Sequence, residues 1–357
     1  MRLRPLLFDI HLWLGLVAGA FIAVLAITGS IMAFETELER ALHPHRSYVT
    51  PQGQRLSLAQ IGAAVQRAYP NDTIAAFVVA ARPNFSYEVG LQRADVFVNP
   101  YTGEILGEQT APDWLNTVHQ LHTHLLLPRR PHDIGGKITS AAAVVLLLMV
   151  LSGLYLWWPL KRVRVSWRGA AVRTTWFDIH NTTGVLALIF LLALTTTGLV
   201  IGFEHVTTPL FYKMTRSQPT PRPNPRVAAV RGATPITPDS ALVLARAALP
   251  GTAPFLINVV VPGEAYVVRA RYPEDRTPGG RSLVALNPYS GKVLFAEGSR
   301  GAPAGTRLVT ANRALHTGDM FGIPGKILVS LASLAALAQV LTGLTMWLKR
   351  RQRARAE

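Results

Sequence analysis

Four long apolar segments constrain this chain more than any other feature of its sequence. Over its central turns, each segment lacks Asp, Glu, Lys and Arg, whose charges are costly inside a membrane. A helix of about 20 apolar residues crosses a hydrocarbon core of about 30 Å. The segments are Phe8–Phe34, Ile138–Trp158, Trp176–Phe203 and Lys326–Trp347. The sequence therefore predicts an integral membrane α-helical protein with four transmembrane helices.

Clusters of basic residues predict the topology of these helices. They contribute to a net charge of +16 and lie at Arg2 and Arg4, in the link 161–173 and in the tail 349–357. Basic residues in short loops mark the cytoplasmic side, and four crossings put all three clusters on that side. We therefore expect a bacterial inner membrane, cytoplasmic termini, two periplasmic regions and no nucleic-acid partner. The chain has no cysteine, which excludes an iron–sulfur cluster and covalently attached c-type haem.

The second half of the chain repeats the motifs of the first half. Phe8–His11 reads Phe-Asp-Ile-His, and Phe177–His180 reads the same. The other repeated pairs are Gly15 and Gly184, Thr28-Gly29 and Thr197-Gly198, Asn99–Gly103 and Asn287–Gly291, His122 and His316, Gly136-Lys137 and Gly325-Lys326, and Ser152–Trp157 and Thr342–Trp347. Both halves enter the membrane from the same side, so the repeats are parallel about an axis along the membrane normal.

The repeats predict a four-helix transmembrane bundle that arose by internal duplication, with two periplasmic α+β domains. Amphipathic helices at Leu56–Tyr69 and Thr237–Ala248 precede alternating, β-branched strands in each domain. The expected order is helix 1 at 1–34, periplasmic domain 1 at 35–112, a histidine-bearing segment at 113–137, helix 2 at 138–160, the cytoplasmic link at 161–173, helix 3 at 174–204, a Pro-rich linker at 205–236, periplasmic domain 2 at 237–305, a second histidine-bearing segment at 306–325, helix 4 at 326–348 and the cytoplasmic tail at 349–357.

Four histidines recur at matching positions in both halves. They are His11, His180, His122 and His316. A titratable imidazole in a membrane helix usually faces the bundle interior or a cofactor. Gly15 and Gly184 lie one turn after His11 and His180 on the same helix face, where a recess beside the imidazole suits a porphyrin edge. The hypothesis is that each repeated pair supplies the two axial ligands of one haem iron.

Other interpretations of these histidines stay open. His11 and His180 would also serve as interfacial anchors, with Gly15 and Gly184 as small packing residues. His122 and His316 precede the return helices and would suit an interfacial surface role. The His-x-x-His-x-His run at 119–124 resembles a zinc site, but the second half has no matching cluster and the chain supplies no thiolate.

Two repeated lysines open the return helices on the outer side. Lys137 and Lys326 either pair with haem propionates through charge-assisted bonds or extend to the lipid headgroups. Iron with two imidazole ligands transfers electrons and does not bind oxygen. One such haem near each membrane face would form an electron path across the bilayer.

The motifs resemble those of the PepSY-associated transmembrane proteins over essentially the whole chain. The resemblance is carried by the histidine–glycine helix that ends in Thr-Gly, the Asn-Pro-Tyr-Thr-Gly element and the return helix Ser-Gly-Leu-Tyr-Leu-Trp-Trp. It implies periplasmic PepSY-like domains and, for some members, an inner-membrane ferrisiderophore reductase with two non-covalent b-type haems. By this resemblance, His11, His180, His122 and His316 are the haem ligands, and a ferric siderophore or chelate is reduced in the periplasm to release iron.

The partners expected from this resemblance are the ferric chelate, membrane lipid and an electron donor. The inner segments contain no strand–G-x-G-x-x-G–helix unit for NAD(P)H or flavin, so the expected donor is a membrane quinol or a separate cytoplasmic reductase. One alternative is a non-enzymatic PepSY module that binds a partner protein and carries no haem. Another is an ion or metal transporter, which unbroken helices without midplane carboxylates disfavour.

Overall fold

A computed structural model of the chain describes residues 3–110, 113–161, 163–165, 172–220, 226–230, 232–259 and 263–356. Most of the predicted cytoplasmic link at 161–173 and part of the predicted linker at 205–236 lie outside these residues. The chain divides into two compact units. The helical unit comprises Met1–Glu35, Trp114–Phe211 and Val309–Glu357, and the sheet unit comprises Thr36–Asp113 and Tyr212–Leu308.

Helices and strands follow one another in two similar series along the chain. The helices are α1 (Leu3–Met32), α2 (Glu35–Leu42), α3 (Pro44–Ser47), α4 (Leu58–Ala68), α5 (Trp114–His124), α6 (Ile134–Trp157), α7 (Val172–Gly202), α8 (Glu204–Met214), α9 (Pro238–Ala248), α10 (Ala304–Thr317) and α11 (Gly322–Ala356). The strands are β1 (Ile74–Val78), β2 (Tyr87–Leu91), β3 (Ala94–Val98), β4 (Ile105–Thr110), β5 (Ala253–Asn258), β6 (Tyr266–Arg271), β7 (Ser282–Leu286) and β8 (Val293–Glu297).

The helical unit contains four helices that are long and apolar enough to cross a membrane, as the sequence predicts: α1, α6, α7 and α11. Helices α1 and α7 each pack against both α6 and α11, so α1 and α7 lie diagonally across the bundle. Small side chains such as Ala18 and Ala26 line the inward face of α1, whereas Val17 and Ile189 are 72% and 76% exposed. Such exposure of large apolar side chains suits contact with lipid.

The spanning helices are longer than their apolar segments. Helix α6 begins four residues before the predicted Ile138, where the side chain of Asp133 accepts a hydrogen bond from the Gly136 N–H. Helix α11 continues through the basic tail to Ala356. Arg, Gln and Ala favour helix, so the polar flanks extend each helix beyond the segment that hydropathy identifies.

The sheet unit contains one antiparallel sheet of eight strands, in the order β4-β3-β2-β1-β5-β6-β7-β8. The two series of strands meet where β1 pairs with β5, for example at Phe77 and Ile257. The sequence predicts a separate domain from each series, whereas the structure joins their strands in one sheet. This pairing satisfies backbone N–H and C=O groups that β1 and β5 would otherwise expose at an edge.

Helices α4 and α9 pack against the sheet and close its hydrophobic core. The core includes Ile61 of α4, Ala245 of α9 and Ile257 of β5, each with no exposed surface. The Asp239 carboxylate of α9 accepts a hydrogen bond of 2.9 Å from the Leu58 N–H at the start of α4. This bond satisfies an N–H that the first turn of α4 leaves without a partner. The structure also forms α8 within the predicted linker, before its proline-rich part.

Candidate functional site

Each of the four repeated histidines directs its Nδ1 atom at a hydroxyl group on a spanning helix. Each of these hydroxyls belongs to a Ser or Thr that a glycine follows, and we call these four pairs the Ser/Thr-Gly dipeptides. The contacts are His11 to Ser152 at 2.8 Å, His180 to Thr342 at 2.8 Å, His122 to Thr28 at 2.9 Å and His316 to Thr197 at 3.1 Å. The same local arrangement therefore occurs four times.

The hydroxyl groups determine which imidazole nitrogen is free. Each hydroxyl also lies 2.6 to 2.7 Å from the carbonyl oxygen four residues earlier in its own helix, as Ser152 does from Leu148. Because a hydroxyl has one hydrogen, which it donates to that carbonyl, it accepts the bond from the Nδ1–H of the histidine. The Nε2 lone pair then remains available. A neutral imidazole with Nδ1–H bonded and Nε2 free is the form that binds a metal through Nε2.

The glycine of each Ser/Thr-Gly dipeptide leaves space for the imidazole beside it. A Cβ atom added at Gly29 or Gly198 would lie 3.0 Å from Cε1 of His122 or His316. The corresponding distances are 3.4 Å from Gly153 to His11 and 3.8 Å from Gly343 to His180. Recurrence of these dipeptides is visible in the sequence, but their contact with the histidines becomes visible only in the fold.

The two glycines predicted to flank the imidazoles have other neighbours. A Cβ atom at Gly15 would lie 3.0 Å from Cε of Met149, and one at Gly184 would lie 3.1 Å from Oε1 of Gln339. Gly184 lines the cleft between His11 and His180. The glycines that lie directly beside the imidazoles are therefore those of the Ser/Thr-Gly dipeptides.

His11 and His180 form the first histidine pair and face each other from the diagonal helices α1 and α7. Their ring centroids are 6.4 Å apart and their planes are nearly perpendicular, at 85°. Two imidazoles that bind one metal from opposite sides have centroids about 6 Å apart, since each metal–nitrogen bond is about 2 Å. The spacing of the first pair therefore fits two axial ligands of one haem iron.

The cleft around the first pair is mainly apolar. It is partly open to the surroundings. Its walls are formed by Leu146, Met149, Val150, Leu154, Val185, Leu188, Leu191 and Ala336, with the polar His11, Trp157, His180, Asn181 and Gln339. Among the described residues, no charged side chain lines this cleft. An apolar cleft with a few polar groups suits a mostly hydrophobic ligand.

His122 and His316 form the second histidine pair, on α5 and α10. Burial, followed by the neighbouring His316 and His119, lowers the pKa of His122 to about 4. Burial likewise lowers the pKa of His316 to about 4. Both imidazoles are therefore neutral near pH 7, as metal ligands must be. The Asn312 side chain donates to the Thr197 carbonyl at 3.0 Å and ties α10 to α7 beside this pair.

The run of three histidines at 119–124 does not form a zinc site. Nδ1 of His124 bonds Asp133 at 2.7 Å, and Nε2 of the same ring accepts from Arg129 at 2.6 Å. Both ring nitrogens of His124 are thus engaged within the loop before α6. No group of three His, Cys, Asp or Glu side chains suited to a metal ion occurs in the part of the chain that the structure describes.

The repeated lysines differ from each other in the structure. Lys326 is 8% exposed and its Nζ lies 3.6 Å from a carboxylate oxygen of Asp319. Lys137 is exposed at the start of α6. The two positions are therefore not equivalent as partners for an acidic group.

The two histidine pairs are associated with opposite ends of the same helices. Seventeen positions separate His11 from Thr28 in α1, and His180 from Thr197 in α7. At a rise of about 1.5 Å per residue, this separation is about 25 Å along each helix. The bundle thus carries one pair of imidazoles near each end of its apolar length.

Comparison with curated proteins gave no match. The family model described as PepSY-associated TM region matches residues 8–350. This match includes all four spanning helices apart from their terminal residues, both histidine pairs and the eight-stranded sheet. The chain is therefore a membrane protein that belongs to the PepSY-associated TM region family.

Proposed function

We propose that this chain is a di-haem electron-transfer protein of the bacterial inner membrane. It reduces a ferric siderophore or another ferric chelate on the periplasmic side and so releases iron. The observation that carries the proposal is the fourfold arrangement in which a Ser or Thr hydroxyl holds Nδ1 of a histidine and leaves Nε2 free. Four such imidazoles in two pairs would hold two haems, each between two histidines.

Each histidine pair would hold one non-covalent haem b. His11 and His180 would hold the first, and His122 and His316 the second. When bound between two imidazoles, such a group would supply one-electron transfer and not oxygen binding. The hydroxyls of Ser152, Thr342, Thr28 and Thr197 hold the rings in the ligating tautomer. Hydrogen bonds of this kind orient metal ligands and tune their basicity.

The proposed topology puts the first pair near the cytoplasmic face. Cationic side chains lie over tryptophan rings at that end of the helices, with Lys161 over Trp158 at 4.9 Å and Arg351 over Trp347 at 4.9 Å. Basic residues and interfacial tryptophans are typical of a cytoplasmic boundary. The two strand series, which we propose are duplicated PepSY-like repeats, then face the periplasm. A quinol or a separate cytoplasmic reductase supplies the electrons.

Spectroscopy of the detergent-purified chain tests the proposal. We expect a sharp reduced α band and about two non-covalent haems per chain, as bis-imidazole ligation requires. His11→Ala should remove one haem, His122→Ala should remove the other, and His43→Ala, in the sheet unit, should remove neither. The next assay is reduction of a ferric chelate by the reduced protein. A colourless protein from haem-replete cells would refute the reductase and favour a membrane-anchored PepSY module that binds a partner protein.

A further inference from the structure

Basic side chains cover the end of the bundle that carries the first histidine pair. The described ones, which we call the basic surface, are Arg4, Lys161, Arg164, Lys349, Arg350, Arg351, Arg353 and Arg355. Among the described residues, none of them forms an ion pair with a carboxylate. Of the described carboxylates at this end, Asp178 has no exposed surface and Asp9 is exposed. The basic surface therefore carries positive charge that the described residues do not neutralise.

Hydrogen bonds attach the basic surface to the helices around the first pair. The Arg4 guanidinium donates at 3.2 Å to a backbone carbonyl in the last turn of α6. The Arg164 carbonyl accepts a bond of 3.0 Å from the hydroxyl of Thr182, which lies in the turn of α7 after His180. Arg4 is seven residues before His11, so the two positions lie about 10 Å apart along α1. A partner bound at the basic surface would therefore lie close to the first pair.

Helix α11 carries part of the basic surface beyond the apolar length of the bundle. The exposed basic side chains there are Arg350, Arg351, Arg353 and Arg355. They are spread around the helix, because successive residues turn by about 100°. Arg353 and Arg355 lie about 9 and 12 Å further along the axis than Trp347. A helix that lies flat on lipid headgroups needs an apolar face with residues such as Leu, Phe or Trp. Residues 349–356 contain none of these, so we expect this part of α11 to extend into water.

The charge of the basic surface identifies the kind of electron donor that it suits. Guanidinium and ammonium groups on a protein surface attract a partner that presents carboxylates at matching positions. Long-range attraction between opposite charges also steers such a partner to the surface and speeds its encounter. A quinol is neutral and mostly apolar, so it gains nothing from this charge. The basic surface therefore favours a water-soluble acidic carrier over a membrane quinol.

We propose that the basic surface docks an acidic, water-soluble electron-carrier protein, which delivers electrons to the haem held by His11 and His180. The inference rests on the proposed function and deepens it, because it selects the class of electron donor. In each transfer the reduced carrier loses one electron and becomes oxidised, and the ferric iron of the first haem gains that electron and becomes ferrous. Arg353 and Arg355 meet the carboxylates of the carrier first, since they lie farthest from the bundle.

Binding of an acidic flavodoxin to the detergent-purified full chain tests the docking surface without depending on electron transfer. We expect the Kd to rise at least about tenfold between about 0.05 M and about 0.5 M salt, because salt screens exposed charges. The double variant Arg353→Glu/Arg355→Glu should raise the Kd roughly tenfold at low salt, since it replaces attraction by repulsion. The matched control is Arg93→Glu/Arg246→Glu, which changes the net charge equally at exposed sites of the sheet unit. That control should bind flavodoxin as the wild type does.

Stopped-flow reduction of the first haem by photoreduced flavodoxin, in a His122→Ala background, gives the second readout. Arg353→Glu/Arg355→Glu should slow this reaction roughly tenfold and leave the rate with a water-soluble quinol analogue unchanged. Equal Kd values and equal rates in the wild type and this variant would overturn the inference and assign the arginines to lipid headgroups. Reduction by the quinol analogue alone would also overturn it, although the proposed function would stand. A wild type without haem would overturn the proposed function as well.

Discussion

Adding a methyl group at Gly29 should displace a proposed haem ligand without weakening the helix that carries it. The new Cβ would lie 3.0 Å from Cε1 of His122, whereas ordinary carbon–carbon contacts begin at about 3.5 Å. The ring must therefore move by about 0.5 Å. The bond from His122 to Thr28 would then lengthen from 2.9 Å towards about 3.4 Å, outside the usual hydrogen-bond range.

The size of the effect follows from what the ring loses. One hydrogen bond contributes about 1 kcal/mol net, and disturbing a group that orients a metal ligand weakens metal binding roughly 10-fold to 100-fold. We therefore expect Gly29→Ala, and Gly198→Ala in the second half, to lose the second haem at least about tenfold faster than the wild type. Alanine favours helix over glycine by about 1 kcal/mol, so the thermal stability of the apoprotein should not fall.

Haem content and the rate of haem transfer to apomyoglobin measure this loss, and circular dichroism follows unfolding. Gly343→Ala is the matched control, since its Cβ would lie 3.8 Å from Cε1 of His180, an ordinary contact. That variant should keep both haems. If Gly29→Ala and Gly198→Ala retained two haems with wild-type loss rates, these glycines would not determine the position of the imidazoles. If Gly343→Ala lost haem equally fast, the cause would be a general disturbance of packing in the bundle.

Three further variants test other parts of the structure. Thr197→Val removes the hydroxyl that fixes His316 and should weaken binding of the second haem roughly tenfold in a haem titration. Thr196→Val should not, because the Thr196 hydroxyl donates to carbonyl oxygens of its own helix. Burial, with the nearby Asp95 and Glu39, raises the pKa of Glu88 from 4.5 to about 7. Ionisation of Glu88 therefore destabilises the fold increasingly from about pH 4.5 to pH 7, by at most about 3 kcal/mol. Glu88→Gln should accordingly raise the unfolding temperature at pH 8 but not at pH 4. Asp239→Ala removes the acceptor at the start of α4 and should cost about 1 kcal/mol in chemical unfolding, whereas Glu104→Ala at an exposed site should cost little; equal midpoints for these two variants would contradict the capping role.

The spanning helices could be predicted because hydropathy reports directly on the medium around a helix. For a run such as Trp176–Phe203, the stable environment is a helix inside the membrane. The ends were less accessible to prediction. Helix α11 begins at Gly322 and ends at Ala356, beyond the apolar run on both sides, since backbone hydrogen bonding and helix propensity continue where hydropathy stops. The sequence does not predict the pairing of β1 with β5, because each strand also pairs with the next strand of its own series in an antiparallel hairpin.

The histidines could be selected from the sequence by their recurrence, but their partners could not. His11 and Ser152 are 141 positions apart, and His180 and Thr342 are 162 apart. No local pattern links residues at such separations. The sequence contains eight Ser/Thr-Gly dipeptides, and this count does not show which four of them contact the repeated histidines. The packing of α1 against α6 brings His11 to Ser152, and the packing of α7 against α11 brings His180 to Thr342.

The pairing of contacts explains why both halves are needed for either proposed site. Each hydroxyl–histidine contact forms within one half, as His11 with Ser152 and His180 with Thr342 show. Each proposed iron, in contrast, takes one imidazole from each half, as the 6.4 Å spacing of His11 and His180 illustrates. One half alone would orient its imidazoles correctly and yet offer each iron a single protein ligand, which leaves an open axial position and different chemistry. Two halves in one chain would fix the stoichiometry of both proposed ligand pairs, and the halves differ beside the proposed ligands, where Leu12 follows His11 and Asn181 follows His180.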